Sequence, residues 1–227
     1  MLGAMPLATL DFPLGDTPTA TIIVMHGLGA SPDDFVSFVD ELDLSAVGPV
    51  RWVFPAAPIR AVTVNNGMKM PAWYDIRGMD LLSREDEAGL RASIVDVQAV
   101  IDREIASGIP ASRIVLGGFS QGGVMALLAG LRAPLRLAGL LDMSGYLALA
   151  PATAAERSDA NRDVPIFMGH GRFDGVVPLA AGTASRDTLA SLGYSIDWHD
   201  YPIQHGVSPE EVRDIHAWLL KVLATPA

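Results

Sequence analysis

Ile114-Val115-Leu116-Gly117-Gly118-Phe119-Ser120-Gln121-Gly122-Gly123 is the stretch on which the reading of this chain turns. Its first half is an apolar run suited to a strand buried on both faces, and the apolar stretch from Gln121 to Leu131 reads as a helix. Ser120 falls between them in a G-x-S-x-G pattern. A sharp strand-to-helix turn strains its central residue and brings neighbouring backbone close. Small residues at 118 and 122 relieve that crowding, with Gly123 assisting. The hydroxyl then stands at the carboxyl end of the sheet, where open α/β folds bind ligands. A serine that only capped the helix would need neither flanking glycine. Ser120 is therefore the candidate nucleophile.

Working outward, short buried strands are expected at residues 20–25, 50–54, 113–117, 135–141 and 164–168, with a last one through Tyr194, Ile196 and Trp198. Between them lie helical patterns. One begins at Pro32 behind Ser31, with Asp33 and Asp34 in its first turn and Phe35, Phe38, Val39 and Leu42 as its stripe. Others run over 85–107 and over 178–192, the latter closed by Gly193. In the final helix Ser208 and Glu211 form a capping box ahead of Val212, Ile215, Leu219 and Val222. This alternation predicts an α/β fold: a mainly parallel central sheet with helices on both faces, in a single domain over residues 1–227. Residues 55–83 keep no period and read as a flap-like insertion. They contain Met68, Met70, Trp73 and Tyr74 among Asn65, Asn66, Gly67, Pro71 and Gly78.

Half of the 227 residues are apolar and 19% are charged, as in a compact globular protein. Sixteen Lys and Arg against 26 Asp and Glu leave a net charge of −10 with no basic cluster, which argues against nucleic acid as a partner. There is no cysteine, so disulfide and thiolate chemistry are excluded. Met1 to Thr9 lacks a basic segment, and no apolar run reaches the roughly 18 residues of a membrane span. The expectation is a cytoplasmic protein without stable membrane insertion, as a monomer or homodimer.

A serine hydroxyl needs a base and an orienting acid, which follow it in chain order in this architecture. His205 is preferred as base because the loop 201–207, between the last strand and the last helix, can carry an imidazole over the turn. His199 reads as a surface residue, His216 as a helix boundary residue, and His26 and His170 as loop braces. Asp142 and Asp174 both follow core strands, and the residues alone favour Asp174 without excluding Asp142. An oxyanion requires two converging donors. The backbone N–H of Gln121 is one, and His26-Gly27-Leu28-Gly29 supplies the other, with Leu28 able to turn its N–H inward. That loop is not a nucleotide site: Pro32 stands where a third glycine would be, and there is no Gly-Lys-Ser/Thr. No metal motif is present, and no cofactor is expected. Met68, Met70, Trp73 and Tyr74 are expected to form an apolar groove for an acyl chain.

The pieces just named, together with Met68 to Asp75, Leu141 to Leu147, Gly169-His170-Gly171 with Asp174, and Tyr201 to His205, resemble the carboxylesterase and acyl-protein thioesterase (lysophospholipase-like) family of α/β-hydrolases. The likeness spans residues 20 to 220. It implies Ser120, Asp174 and His205 as a catalytic triad, Leu28 and Gln121 amides as the oxyanion hole, and Val176 beside the acyl site. It also implies a short hairpin within 55–83. The expected activity is hydrolysis of short- to medium-chain acyl esters through an acyl-enzyme, with acyl-protein thioesterase or lysophospholipase as the alternative. A non-catalytic binding protein on the same fold is a rival of another class. Gly175 departs from the family, which usually has proline there, and that predicts a looser acid loop.

Overall fold

A computed structural model describes residues 6–15, 17–78 and 84–224. In chain order it has β1 (Thr9–Pro13), β2 (Ala20–Met25), α1 (Phe38–Glu41), β3 (Val50–Pro55), β4 (Ile59–Val62), β5 (Met68–Pro71), α2 (Glu87–Ala106), β6 (Ile114–Phe119) and α3 (Gln121–Gly130). There follow β7 (Gly139–Met143), α4 (Ala150–Glu156), β8 (Ile166–Gly171), α5 (Leu179–Ser191), β9 (Ile196–Tyr201) and α6 (Pro209–Val222). Seven strands form one sheet in the order β1-β3-β2-β6-β7-β8-β9, and β4 and β5 pair separately. Only β1 runs antiparallel to its neighbour in the large sheet. No helix among the described residues is long and apolar enough to cross a membrane.

Period-two alternation divides the core. Ile23 and Met25 join Leu116, Leu140 and Met168 under α2 and α3, whereas Ile22 and Val24 join Trp52, Leu141 and Phe167 under Ile215, Trp218 and Leu219 of α6. The register aligns Met25 with Gly118, Phe119 with Met143, and Met143 with Gly169. The carboxyl ends of β2, β6, β7 and β8 therefore finish level, and the loops that follow them converge on one edge.

Some elements differ from the sequence reading. The helix expected from Pro32 is a 3-10 turn over Pro32–Phe35 followed by the single turn α1, and the Ser31 hydroxyl donates to the Asp33 carboxylate instead of capping backbone. The strand expected at 135–141 is shifted to β7. The Asn161 side chain binds Leu137 N–H and the Ala133 and Leu135 carbonyls, taking backbone groups that a ladder would otherwise use. β1 was not expected; it is a short, half-exposed edge strand whose Phe12 packs edge-on against Phe54 at 6.0 Å. Within 55–83 the hairpin β4–β5 is present, turning through Asn66 and Gly67 at φ 55° and 75°. Residues 79–83 of that segment lie outside the described ones.

The capping box is half formed. Glu211 N–H donates to the Ser208 hydroxyl at 3.1 Å; in return the Ser208 N–H faces the buried Glu211 carboxyl, yet neither carboxyl oxygen accepts a well-formed hydrogen bond among the described residues. It lies where a Cβ on Gly169 would sit. Asp142 is the second such acid, cradled by Gly123 and Gly145, whose missing side chains leave its only space. The Gly145 N–H is the group nearest to stabilising its charge, yet neither oxygen accepts a well-formed hydrogen bond. Burial pushes Asp142 up to about 7 and Glu211, with some repulsion from Asp142 and Asp214, up to about 8.

These features predict two outcomes. A Cβ on Gly122 would drive into the Met25 carbonyl, so Gly122→Ala should cost about 3 kcal/mol in urea unfolding, while Gly175→Ala, with open space around it, should stay within about 0.5 kcal/mol of the parent. For Asp142 the native pKa of about 7 lies above its ordinary 3.8, so the unfolded chain releases this proton first. The stability that Asp142 contributes therefore falls as pH rises from about 4 to about 7 and levels off above that. Asp142→Asn should gain on the parent by about 2–3 kcal/mol between pH 5 and pH 8. A pH-independent difference would show that Asp142 is already ionised in the native state.

Candidate active site

Ser120 sits at the junction of β6 and α3 with φ 56° and ψ −119°, a conformation costly for any residue with a Cβ. Its N–H donates to the Met143 carbonyl at 2.8 Å, extending the β6–β7 ladder, and its own carbonyl receives Val124 N–H at 3.0 Å as α3 begins. The turn closes only because Gly118 and Gly122 touch each other's backbone and Gly122 lies on the β2 carbonyls. The side chain is nine-tenths buried, and its hydroxyl has no hydrogen-bond partner among the described residues.

His205 comes from the loop after β9. Phe173 N–H donates to the Ile203 carbonyl at 3.0 Å and Arg172 N–H to the Tyr201 carbonyl at 2.8 Å, so this loop is laced to the one after β8. Gly171 permits the close approach, because a Cβ there would strike the Ile203 and Gln204 carbonyls. His205 Nδ1–H donates to Asp174 Oδ2 at 2.6 Å. The other oxygen, Oδ1, accepts Val176 and Val177 N–H at 2.8 Å each, so the buried carboxylate is held by three donors. These bonds also close the acid loop without the proline that Gly175 replaces. With its proton fixed on Nδ1, His205 leaves Nε2 free to accept another. The imidazole packs on Phe119, ring centres 4.7 Å apart.

The structure thus brings Asp174, and not Asp142, to His205. His199 stacks on Phe167 at 5.2 Å and bonds Asp197, and His216 donates to the Asp43 carbonyl at 2.7 Å. His26 and His170 each bind a loop carbonyl, Gly27 O and Val177 O, both at 2.8 Å. Burial holds both imidazoles below their ordinary pKa, which keeps them neutral.

Ser120 and His205 open into one cleft of about 480 Å³, walled by Leu28, Phe35, Phe119, Val176 and Val207, with Asp34 at its margin. A neighbouring cavity of about 460 Å³ shares Asp34, Phe35 and Val207 and continues over Phe38, Pro209 and Val212. Val176 lines the cleft. Met68, Met70, Trp73 and Tyr74 do not: Met68 is 64% exposed on the hairpin, Met70 bonds Asn65 through its sulfur, and Trp73 and Tyr74 are core residues. Sequence reasoning placed all four on the substrate because no regular element claimed them. It missed Phe35, which was read as helix stripe. A larger cavity of about 680 Å³, near Arg136, Asp163 and Trp218, opens at the opposite edge of the sheet, away from Ser120 and His205.

Known proteins resemble this arrangement over almost its whole length. The phospholipase/carboxylesterase family matches residues 14–223. Acyl-protein thioesterase 1 of Gibberella zeae is 40% identical over 226 residues, covering 96% of each chain. The protein of the same name from Neurospora crassa is 42% identical over 214 residues, covering 90% of this chain and 87% of its own. Among solved structures, Arabidopsis thaliana SOBER1 superposes with a TM-score of 0.85 at 29% identity over 90% of this chain and 99% of its own. Zea mays acyl-protein thioesterase 2 does so with a TM-score of 0.84 at 27% identity, covering 96% and 99%. With its mostly parallel sheet and this match, the chain belongs to the phospholipase/carboxylesterase family of α/β-hydrolases.

Proposed function

We propose that this hydrolase cleaves fatty acyl esters and thioesters by two-step acyl transfer, with Ser120 as nucleophile, His205 as base and Asp174 as orienting acid. The observation that carries the reading is the 2.6 Å bond from His205 Nδ1–H to the buried Asp174, in a loop whose imidazole shares its cleft with Ser120. His205 Nε2 takes the Ser120 proton as the oxygen attacks the acyl carbonyl. Leu28 and Gln121 N–H groups hold the negative oxygen, and His205 passes the proton to the departing alkoxide or thiolate, which leaves the imidazole neutral again. The same imidazole then deprotonates water, which attacks the acyl-serine, and it returns that proton to the Ser120 oxygen as the carboxylic acid is released.

Among acyl groups, we favour the longer end of the short- to medium-chain range expected from the sequence, and chains beyond it. The cleft is walled by apolar side chains and shares Asp34, Phe35 and Val207 with a second cavity, while Trp73 is buried in the core. The relatives named acyl-protein thioesterase 1 support the thioester half of the reading. An acyl chain gains up to ~0.8 kcal/mol for each methylene it buries.

Ser120→Ala should lower kcat by about 10⁴-fold or more with the fold intact by circular dichroism. Parent-like turnover by that variant would remove Ser120 from the mechanism. A parent protein that is folded, unlabelled by a fluorophosphonate and inert to every ester would instead mark a binding protein. Across p-nitrophenyl esters from acetyl to decanoyl, kcat/KM should rise roughly two- to four-fold per methylene before levelling. A maximum at acetyl or butyryl would restore the short-chain assignment.

A further inference from the structure

We propose that Trp73 is a positioning residue that couples the two amides of the oxyanion hole, an inference that rests on the acyl-transfer reading above. The two donors come from different strand ends, Leu28 after β2 and Gln121 after β6. β2 and β6 stay in register only as far as Met25 and Gly118. Beyond that pair, something other than the sheet must set the distance between the amides.

A backbone N–H is aimed by fixing its peptide plane, because in a trans peptide the carbonyl points opposite to it. The carbonyl sharing a plane with Leu28 N–H is that of Gly27. It accepts from His26 Nδ1–H at 2.8 Å and from Ala30 N–H at 3.3 Å, which turns the Leu28 N–H away from them. The His26 tautomer is determined as well: Nε2 accepts Ala57 N–H at 3.0 Å, so the proton resides on Nδ1. The carbonyl of His26 then accepts the Trp73 indole N–H at 2.8 Å.

The other side of Trp73 holds the side chain of the residue that carries the second donor. Its backbone N–H donates to Gln121 Oε1 at 3.0 Å, and Gln121 Nε2 donates to the Tyr74 carbonyl at 3.0 Å. The Ser93 hydroxyl takes the Trp73 carbonyl and ties this segment to α2. The bonds therefore run without a gap from Gln121 through Trp73 and His26 to the Gly27–Leu28 peptide. Trp73 and its partners His26, Gln121, Tyr74 and Ser93 are all buried, so water does not compete for the bonds.

The oxyanion exists only after attack, so loosening its donors should reduce kcat and spare KM. Trp73→Phe keeps an aromatic ring and removes the indole N–H. It should lower kcat roughly 10- to 100-fold, less than deleting a donor outright, with KM changed less than about three-fold. Affinity for an acyl trifluoromethyl ketone should fall in step with kcat/KM, while affinity for the product carboxylate stays within about three-fold. Gln121→Met, which keeps the backbone amide but loses the clamp, should show the same pattern and carries the test alone if Trp73→Phe does not fold. Trp52→Phe, on the opposite face of the sheet with no partner for its indole nitrogen among the described residues, should lower stability and leave kcat unchanged. Unchanged kcat and ketone affinity in folded Trp73→Phe or Gln121→Met would overturn the proposal, and so would parallel losses of kcat and product affinity. If the parent is labelled by a fluorophosphonate and turns over while these variants match it, only this inference falls. If the parent neither labels nor turns over, the acyl-transfer reading falls first.

Discussion

Three backbone segments meet behind Ser120 with no side chains between them, and that contact organises the rest of the molecule. The start of α3 presses onto the end of β2 through Gly122 and folds back on β6 through Gly118. A methyl group at either glycine would force the strand and helix apart. The strained φ of Ser120 is sustained because the ladder to Met143 and the first bond of α3 constrain it from both sides. Level strand ends then place the loops after β2, β8 and β9 around a single hydroxyl. The proposed chemistry follows from where these ends stop.

The structure uses the same device at two neighbouring loops. His26 and His170 both end strands, both are buried and neutral, and both donate to a carbonyl in the loop that follows. One fixes the peptide that presents Leu28, and the other fixes the turn in which Val176 and Val177 grip Asp174. A charged imidazole would need a second acceptor in place of the Ala57 N–H that His26 receives. Desolvation is therefore useful here. It keeps each ring in the form that can brace a loop.

The alternation of apolar runs with helical patterns announced the parallel sheet, because strands buried on both faces leave a strong local signature. The turn at Ser120 was equally legible, since its steric demand is written in adjacent glycines. His205 could be selected because it occupies a loop while its competitors sit in regular elements. What could not be read was where irregular backbone sends its side chains. Trp73 and Tyr74 look like pocket residues in the sequence, yet the Gln121 side chain holds their backbone and buries them. Phe35 looked like helix stripe, but Pro32–Phe35 forms only a 3-10 turn and leaves the ring on the cleft wall. The shift of β7 arose similarly, from a side chain at Asn161 far along the chain. Each case turns on contacts between residues distant in sequence.

The hairpin β4–β5 meets the site at one end only. Gly29 N–H donates to the Pro71 carbonyl at 2.8 Å, whereas the tip around Asn66 and Met68 projects into solvent. The insertion thus divides into a root welded to the strand ends and a free tip. Changes of length or composition at the tip leave the backbone around Ser120 intact, while changes at the root reach it directly. The tip is accordingly the part of this fold most open to exchange between relatives, a ready graft point for altering what approaches the cleft while the machinery beneath stays fixed.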